Sequence, residues 1–451
     1  MIEYDNKIYF VKLPYCDTRN DKKIKTTNIQ PYSYQLQAVE KFKEHYKHND
    51  RGILSLPCGC GKTYTAYLIS CEYSKIVILS PLREFAKQNL NRFIEYGYDV
   101  TKTLLVDTDG IREVKTVKNF IEKNNRCLIS CTYDSMDIIS ECLDLFLDNT
   151  LFIVDEFHNL SKANISDENN DIYKLLISQH KILFMSATPR IYDIENDSDE
   201  SINTDDLFGD IVYNMKMTHA IANKYITNYK IWLPSIHENN KELERELSIY
   251  DIDNEYKNRC KFLYSCLSNN GSKKCIVYCK DTDDMNMMMK SMKILNDFYI
   301  MNIEINGISC EDSERERKNI LKWFADDGQN INILFNIRIL NECIDIPSCD
   351  SVYISYAPKN KITTIQRICR ANRIDKMNPY KMANIYIWCD EYEQILDTLS
   401  SVKEYDMMLK DKIKINTIDF FSSKDDNVIE IEVKDYLKLP NNILWMGQML
   451  H

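Results

Sequence analysis

The chain has 451 residues, 44% of them hydrophobic and 28% charged, which is enough apolar side chain for two or three buried cores. That balance excludes a mainly disordered chain, a collagen and a mini-protein that needs staples. A net charge of −11 argues against a coat-like or histone-like protein held to nucleic acid by bulk attraction, and leaves room for a local basic groove.

In chain order, the N-terminal MIEYDNKIYF carries charges where a secretory signal needs an apolar stretch, and no run approaches the ~18 apolar residues of a membrane span. The sixteen cysteines contain no C-x-x-C pair, and several (Cys127, Cys131, Cys275, Cys279) sit in apolar runs as small hydrophobes. A reducing, cytoplasmic or nuclear setting is the expectation. Abundant Asn, Ile, Lys and Tyr suit an AT-rich genome and say nothing about activity.

After an N-terminal arm (1–28), short β-branched apolar runs recur: GILSLP at 52–57, KIVILSP at 75–81, TLLV at 103–106, CLIS at 127–130, LFIVDE at 151–156 and KILFMSAT at 181–188. Helix-length segments lie between most of them, which predicts a doubly wound parallel sheet with strands buried on both faces. Two acidic stretches, SDENND at 166–171 and DIENDSDESINTDD at 193–206, read as solvated loops. The pattern restarts with KCIVYC at 274–279, FYIMNIEI at 298–305, INILFNI at 331–337, SVYISYA at 351–357 and NIYIWC at 384–389. The expected organisation is an α/β lobe over 29–228, a linker over 229–250 around Pro234, a second α/β lobe over 251–395, and a C-terminal extension over 396–451.

Four constellations carry chemistry. In LPCGCGKT, at a predicted strand-to-helix turn, Gly59 and Gly61 let backbone N–H groups approach phosphates, Lys62 reaches the β/γ-phosphates and Thr63 offers a hydroxyl to Mg²⁺. Leu56 stands where a full phosphate-loop motif has glycine, so the match is to GxGKT. Asp155 and Glu156 end an apolar strand at the sheet edge where such folds bind ligands; Asp155 is placed to hold Mg²⁺ and Glu156 to deprotonate the attacking water. Ser186-Ala187-Thr188 ends another strand, where small hydroxyls can relay nucleotide state. In QRICRANR, helical spacing puts Gln366, Arg370 and Arg373 on one face, a candidate pair of arginine fingers.

Together these segments resemble the motifs of the superfamily-two helicases, over residues 29–390. YSYQLQAVEKF, SPLREFAKQ, CTYDS, VDEFH, SATPR, LNECIDIP and QRICRANR follow in the family's order, and PCGCGKT with DEFH is most similar to the branch of restriction-enzyme motor subunits and excision-repair helicases. The resemblance implies two RecA-like lobes with ATP in the cleft between them. It implies that Gln35 reads adenine, that Gly59, Cys60, Gly61, Lys62 and Thr63 form the phosphate cradle, and that Asp345 meets the ribose and Gln366 the γ-phosphate. Arg83, Thr132 and Asn336 match positions that touch the nucleic-acid backbone, and His158, Ser186 and Thr188 match coupling positions.

The implied activity is an ATP- and Mg²⁺-dependent helicase or translocase, on DNA by the branch it resembles. The alternatives are an RNA helicase, a catalytically impaired nucleic-acid-binding scaffold with the same fold, and a phosphate-loop ATPase without nucleic acid. Three cysteines depart from the family: Cys60 for a small hydroxyl residue, and Cys343 and Cys369 for glycines whose loss costs of the order of 1 kcal/mol if a positive φ is needed. No second carboxylate cluster resembles a nuclease site, so any cleavage is expected from a partner nuclease.

Overall fold

The apolar runs become strands because each can be buried on both faces. In the computed structural model, residues 29–187, 207–235 and 254–417 are described, apart from breaks at 109, 147–148, 300–301, 327, 338–345, 357–360, 389–391 and 407, with strand pieces at 2–4, 7–9 and 428–430. The chain divides into two units, Met1–Met215 and Lys216–His451.

In the first unit, helix α1 (Ser33–His45) precedes β1 (Arg51–Ser55), α2 (Lys62–Ser70), β2 (Lys75–Ser80), α3 (Arg83–Glu95), β3 (Thr103–Val106), α4 (Val114–Lys123), β4 (Cys127–Thr132), β5 (Thr150–Asp155), β6 (Lys181–Ser186) and β7 (Asp210–Asn214). The seven strands form one sheet in the order β3-β4-β2-β5-β6-β1-β7, with every pairing parallel. Interior strands β4 and β5 are buried at every residue, whereas edge β3 is mostly half-buried and edge β7 mostly exposed. All carboxyl ends therefore share one edge, and the strand order sorts what they carry. Asp107, Thr132 and Ser80 follow or end β3, β4 and β2 on one half. Asp155, Ser186 and the phosphate loop follow on the other half.

The second unit contains β8 (Tyr229–Ser235), α5 (Asn254–Asn270), β9 (Lys274–Tyr278), α6 (Thr282–Tyr299), β10 (Ile303–Ile308), α7 (Glu314–Ala325), β11 (Ile331–Asn336), β12 (Ser351–Ile354), α8 (Lys361–Ala371), β13 (Ala383–Ile387), α9 (Tyr392–Tyr405), β14 (Ile413–Thr417) and β15 (Val428–Glu430). Its sheet runs β10-β11-β9-β12-β13-β8-β14-β15, parallel except for the last pair.

Three sequence expectations shift here. Residues 229–235, read as linker, form β8, because Tyr229, Ile231 and Leu233 are buried and pair with β13 and β14. The division accordingly lies at Met215 and Lys216, earlier than residue 228. Residues 396–417 are part of the second unit rather than an extension: Tyr229 Oη donates to Asp406 Oδ2 at 2.7 Å, and Lys412 pairs with the same carboxylate. The run FYIMNIEI splits, with Phe298 and Tyr299 ending α6 and the strand starting at Ile303, since the methionine-rich helix Thr282–Tyr299 buries Met285, Met288 and Met292 at helical spacing.

Candidate nucleotide site and nucleic-acid interface

The loop after β1 needs backbone that only glycine adopts easily. Gly59 and Gly61 have φ of 85° and 70°, and Gly61 caps the start of α2. A Cβ on Gly61 would lie 2.9 Å from Gln35 Nε2, so glycine there lets α1 close on the loop. Gln35 Nε2 donates to Gly61 O at 3.5 Å, its Oε1 accepts from Tyr32 N at 2.9 Å, and Tyr34 Oη donates to Cys60 O. The Cys60 side chain is buried and burial pushes its thiol up to about 12, so it packs as a small hydrophobe. Thr63, on the first turn of α2, is half-buried beside it.

Lys62 Nζ lies 2.6 Å from Glu156 Oε1, with both side chains nearly buried. Burial works against both charges, yet each partner holds the other ionised: Glu156 raises the Lys62 pKa, while Lys62, His158 and the Ala187 amide hold the Glu156 carboxyl below its usual range. Glu156 sits at φ 49°, a left-handed conformation uncommon for a non-glycine residue. Its neighbour Asp155 is raised to about 6 by burial and by the Glu156 charge. Two buried carboxylates thus face one ammonium, and the excess negative charge, with Thr63 on the first turn of the helix that follows the loop, fits a hard divalent cation such as Mg²⁺. His158 Nδ1 meets Ser186 Oγ at 2.9 Å and approaches Glu156 Oε2 at 3.4 Å, so two of the expected coupling residues touch each other and one of them, His158, also approaches the candidate base.

Two residues that the motif reading passed over complete this end. Asn89 Nδ2 donates to Asp155 Oδ2 at 2.7 Å and to Ser80 Oγ at 3.2 Å, and Tyr133 Oη donates to Asp155 O at 2.6 Å. Asn89 lies one position beyond the SPLREFAKQ segment; a polar residue on the buried face of α3 was its only signal.

On the other half of the edge, the Arg83 side chain is 43% exposed and its Nε donates to the buried Asp107 at 2.9 Å. Thr132 is buried and donates to Ser135 Oγ at 3.0 Å.

In the second unit, Asn336 is fully buried and donates to Val277 O at 3.0 Å, tying β11 to β9. Gln366 and Arg370 are buried on α8. The helix ends at Ala371, so Arg373 falls on the following turn rather than on a helical face, held where Thr227 Oγ1 donates to its carbonyl at 3.2 Å. Arg367, which the motif reading left without a role, is the fully buried member. Its guanidinium lies between the rings of Tyr278 and Tyr356 at 4.6 and 4.7 Å and donates to Tyr356 Oη at 2.6 Å. Burial pushes the Tyr278 phenol up, against the pull of Arg370, Arg367 and Arg373. Cys369 lies within α8, so its position demands no positive φ. Thr188, Cys343 and Asp345 lie outside the described residues.

Comparison with known proteins gives the same picture. The family described as "Type III restriction enzyme, res subunit" matches residues 28–191, and "Helicase conserved C-terminal domain" matches 258–375. "Probable helicase A859L" of African swine fever virus is 24% identical over 398 residues, 83% of this chain and 43% of the relative. The "General transcription and DNA repair factor IIH helicase/translocase subunit XPB/SSL2" of Saccharomyces cerevisiae is 21% identical over 368 residues, 78% of this chain and 40% of the relative. The chain thus spans less than half the length of these relatives. Among solved structures, the "ATP-dependent Type ISP restriction-modification enzyme LlaBIII bound to DNA" superposes with a TM-score of 0.68 at 19% identity, covering 86% of this chain and 31% of that one.

Proposed function

Since the chain belongs to superfamily two of the helicases, we propose that it is an ATP-driven motor that translocates on or unwinds nucleic acid, DNA rather than RNA. The observation that carries the reading is the Lys62–Glu156 pair beside Asp155, at one sheet edge with the His158–Ser186 contact. The DNA preference is supported by the restriction-enzyme family match and by the DNA-repair relative.

In this mechanism Gln35 reads the adenine, and the loop amides from Gly59 to Thr63, including Cys60, cradle the phosphates. Thr63 and Asp155 would hold Mg²⁺, which when bound neutralises charge on the phosphate oxygens. ATP phosphates draw Lys62 away from Glu156, and the freed carboxylate accepts the proton of the attacking water. His158 and Ser186, with Thr188, pass the change in Glu156 along the edge. Asp345 meets the ribose, Gln366 the γ-phosphate, and Arg370 and Arg373 stabilise the charge that develops there. Arg83, Thr132 and Asn336 grip the sugar–phosphate backbone, with the Asn336 amide leaving its bond to Val277 to do so. A nuclease or transcription partner supplies any activity beyond movement.

The test is ATP hydrolysis by the full chain with and without single-stranded and duplex polynucleotides. DNA is expected to stimulate turnover, with little dependence on its sequence. Because the grip is to phosphates, affinity is expected to fall steeply with salt, on the order of 10³-fold between about 50 and 200 mM for about six phosphate contacts. Stimulation by RNA alone would make this an RNA helicase. Tight binding without turnover would make it a scaffold, and turnover indifferent to any polynucleotide would leave an ATPase of another kind.

A further inference from the structure

The strand order of the first unit separates the expected nucleic-acid contacts from the nucleotide residues, and the boundary falls between β2 and β5. At the carboxyl edge, two side chains among the described residues cross it. Asn89 lies on α3, the helix that begins at Arg83, and its amide spans Ser80 at the end of β2 and the Asp155 carboxylate at the end of β5. Tyr133 follows Thr132 directly and reaches across from β4 to the Asp155 carbonyl. The amide of Asn89 is buried and fixed, since only its nitrogen can face a carboxylate and both acceptors lie within reach.

The body that carries Asn89 is itself held to the nucleic-acid half. Ser130 Oγ, on β4, donates to Ala86 O of α3 at 2.8 Å, and Arg83 is anchored to Asp107 beyond β3. A shift of α3 on engaging a phosphate at Arg83 must therefore move Asn89, and through it one oxygen of Asp155. The same holds for Thr132 and Tyr133, which are adjacent in the chain.

We propose that Asn89 and Tyr133 are positioning residues that couple nucleic-acid binding to the metal-holding carboxylate Asp155, making α3 and the turn after β4 a second link beside the His158–Ser186 contact. The proposal rests on the reading of Arg83 and Thr132 as backbone contacts. Linkage makes it measurable without turnover, because a coupling between two sites changes both affinities by the same factor.

The full chain and its Asn89→Ala and Tyr133→Phe variants are titrated with a fluorescein-labelled single-stranded DNA oligonucleotide, with and without Mg²⁺ and adenylyl-imidodiphosphate. Binding is followed by anisotropy, and a thermal melt checks folding. In the unaltered protein nucleotide is expected to change oligonucleotide affinity by a factor in the usual allosteric range, about 5–150-fold. In the variants this factor falls toward one, while oligonucleotide affinity without nucleotide stays within about twofold, which loss of folding would not produce. If Asn89→Ala does not fold, Tyr133→Phe, which removes a single oxygen, decides alone. Variants that keep the full factor overturn the coupling role and leave the helicase reading intact. An unaltered protein that binds no oligonucleotide overturns both.

Discussion

Replacing Arg370 or Arg373 by alanine is expected to cut nucleic-acid-stimulated ATP turnover by about 10³–10⁵, the range an arginine finger contributes to phosphoryl transfer, while changing nucleotide affinity far less. The asymmetry follows from where the charges are. In the mechanism proposed above, Lys62 and the loop amides are assigned to the ground-state phosphates, and Arg370 and Arg373 to charge that appears only as the bond to the γ-phosphate breaks. Arg367 is locked between two rings and holds α8 to β9 and to the residues after β12, leaving Arg370 and Arg373 at the end of that helix. Lysine at either position is expected not to restore turnover, because a point charge does not reproduce a planar fork. Arg367→Ala should instead lower the melting temperature of the protein. Equilibrium binding of a fluorescent ADP analogue, set beside single-turnover hydrolysis, separates the two effects. A fragment ending at Met215, the limit of the first unit, should bind nucleotide weakly and ignore nucleic acid. Hydrolysis by that fragment at the stimulated rate of the full chain would show the second unit to be dispensable for chemistry.

Much of this architecture is legible in the sequence because parallel strands buried on both faces leave continuous apolar runs that polar helices interrupt. LFIV at 151–154 and KCIVY at 274–278 fall on strands for that reason. Several strands escaped, three of them for a legible reason. Residues 210–214 are an open edge whose exposed Asp210 and Ile211 hide the pattern, and 229–235 contains Pro234, which reads as punctuation. Residues 413–417 alternate Ile with Lys and Asn and are recognisable only by the neighbour they pair with. At the site, the motif residues stand out in the sequence as candidates because the chemistry proposed for them demands particular side chains at particular spacings. Asn89, Tyr133, Asp107 and Arg367 were not assigned, since each works through a residue distant in sequence: Asn89 lies 66 positions from Asp155, and Arg83 lies 24 from Asp107. Spacing along one element carries no signal for such contacts. The helical-face reading of Gln366, Arg370 and Arg373 failed at its last member for a similar reason, because the end of α8 is set by Thr227, which bonds the carbonyls of Asn372 and Arg373.

Substituting Glu156 by glutamine is expected to lower turnover by about 10²–10⁴, the contribution of a positioned general base, with nucleotide binding retained. Glutamine keeps the shape and the left-handed backbone at this position but cannot accept the water proton. It also no longer holds Lys62 as an ion pair, so the ammonium is released to the phosphates at less cost. Lys62→Ala should differ in binding, weakening it as well as abolishing turnover. Its structural consequence is as specific. Lys62 is the counter-charge of a nearly buried Glu156, itself next to the buried Asp155. Removing one partner of such a pair typically costs ~3–5 kcal/mol, because the other is left charged in a poorly solvated place. Lys62→Ala is therefore expected to melt at a distinctly lower temperature than the unaltered chain, and the Lys62→Ala/Glu156→Gln double variant to recover most of the difference. Additive losses in the double variant would show that the 2.6 Å contact contributes no coupling to stability. Unimpaired hydrolysis by Glu156→Gln would remove Glu156 as the base. In that case the water would have to lose its proton elsewhere on the edge, and His158, 3.4 Å from the same carboxylate, would be the residue to replace next.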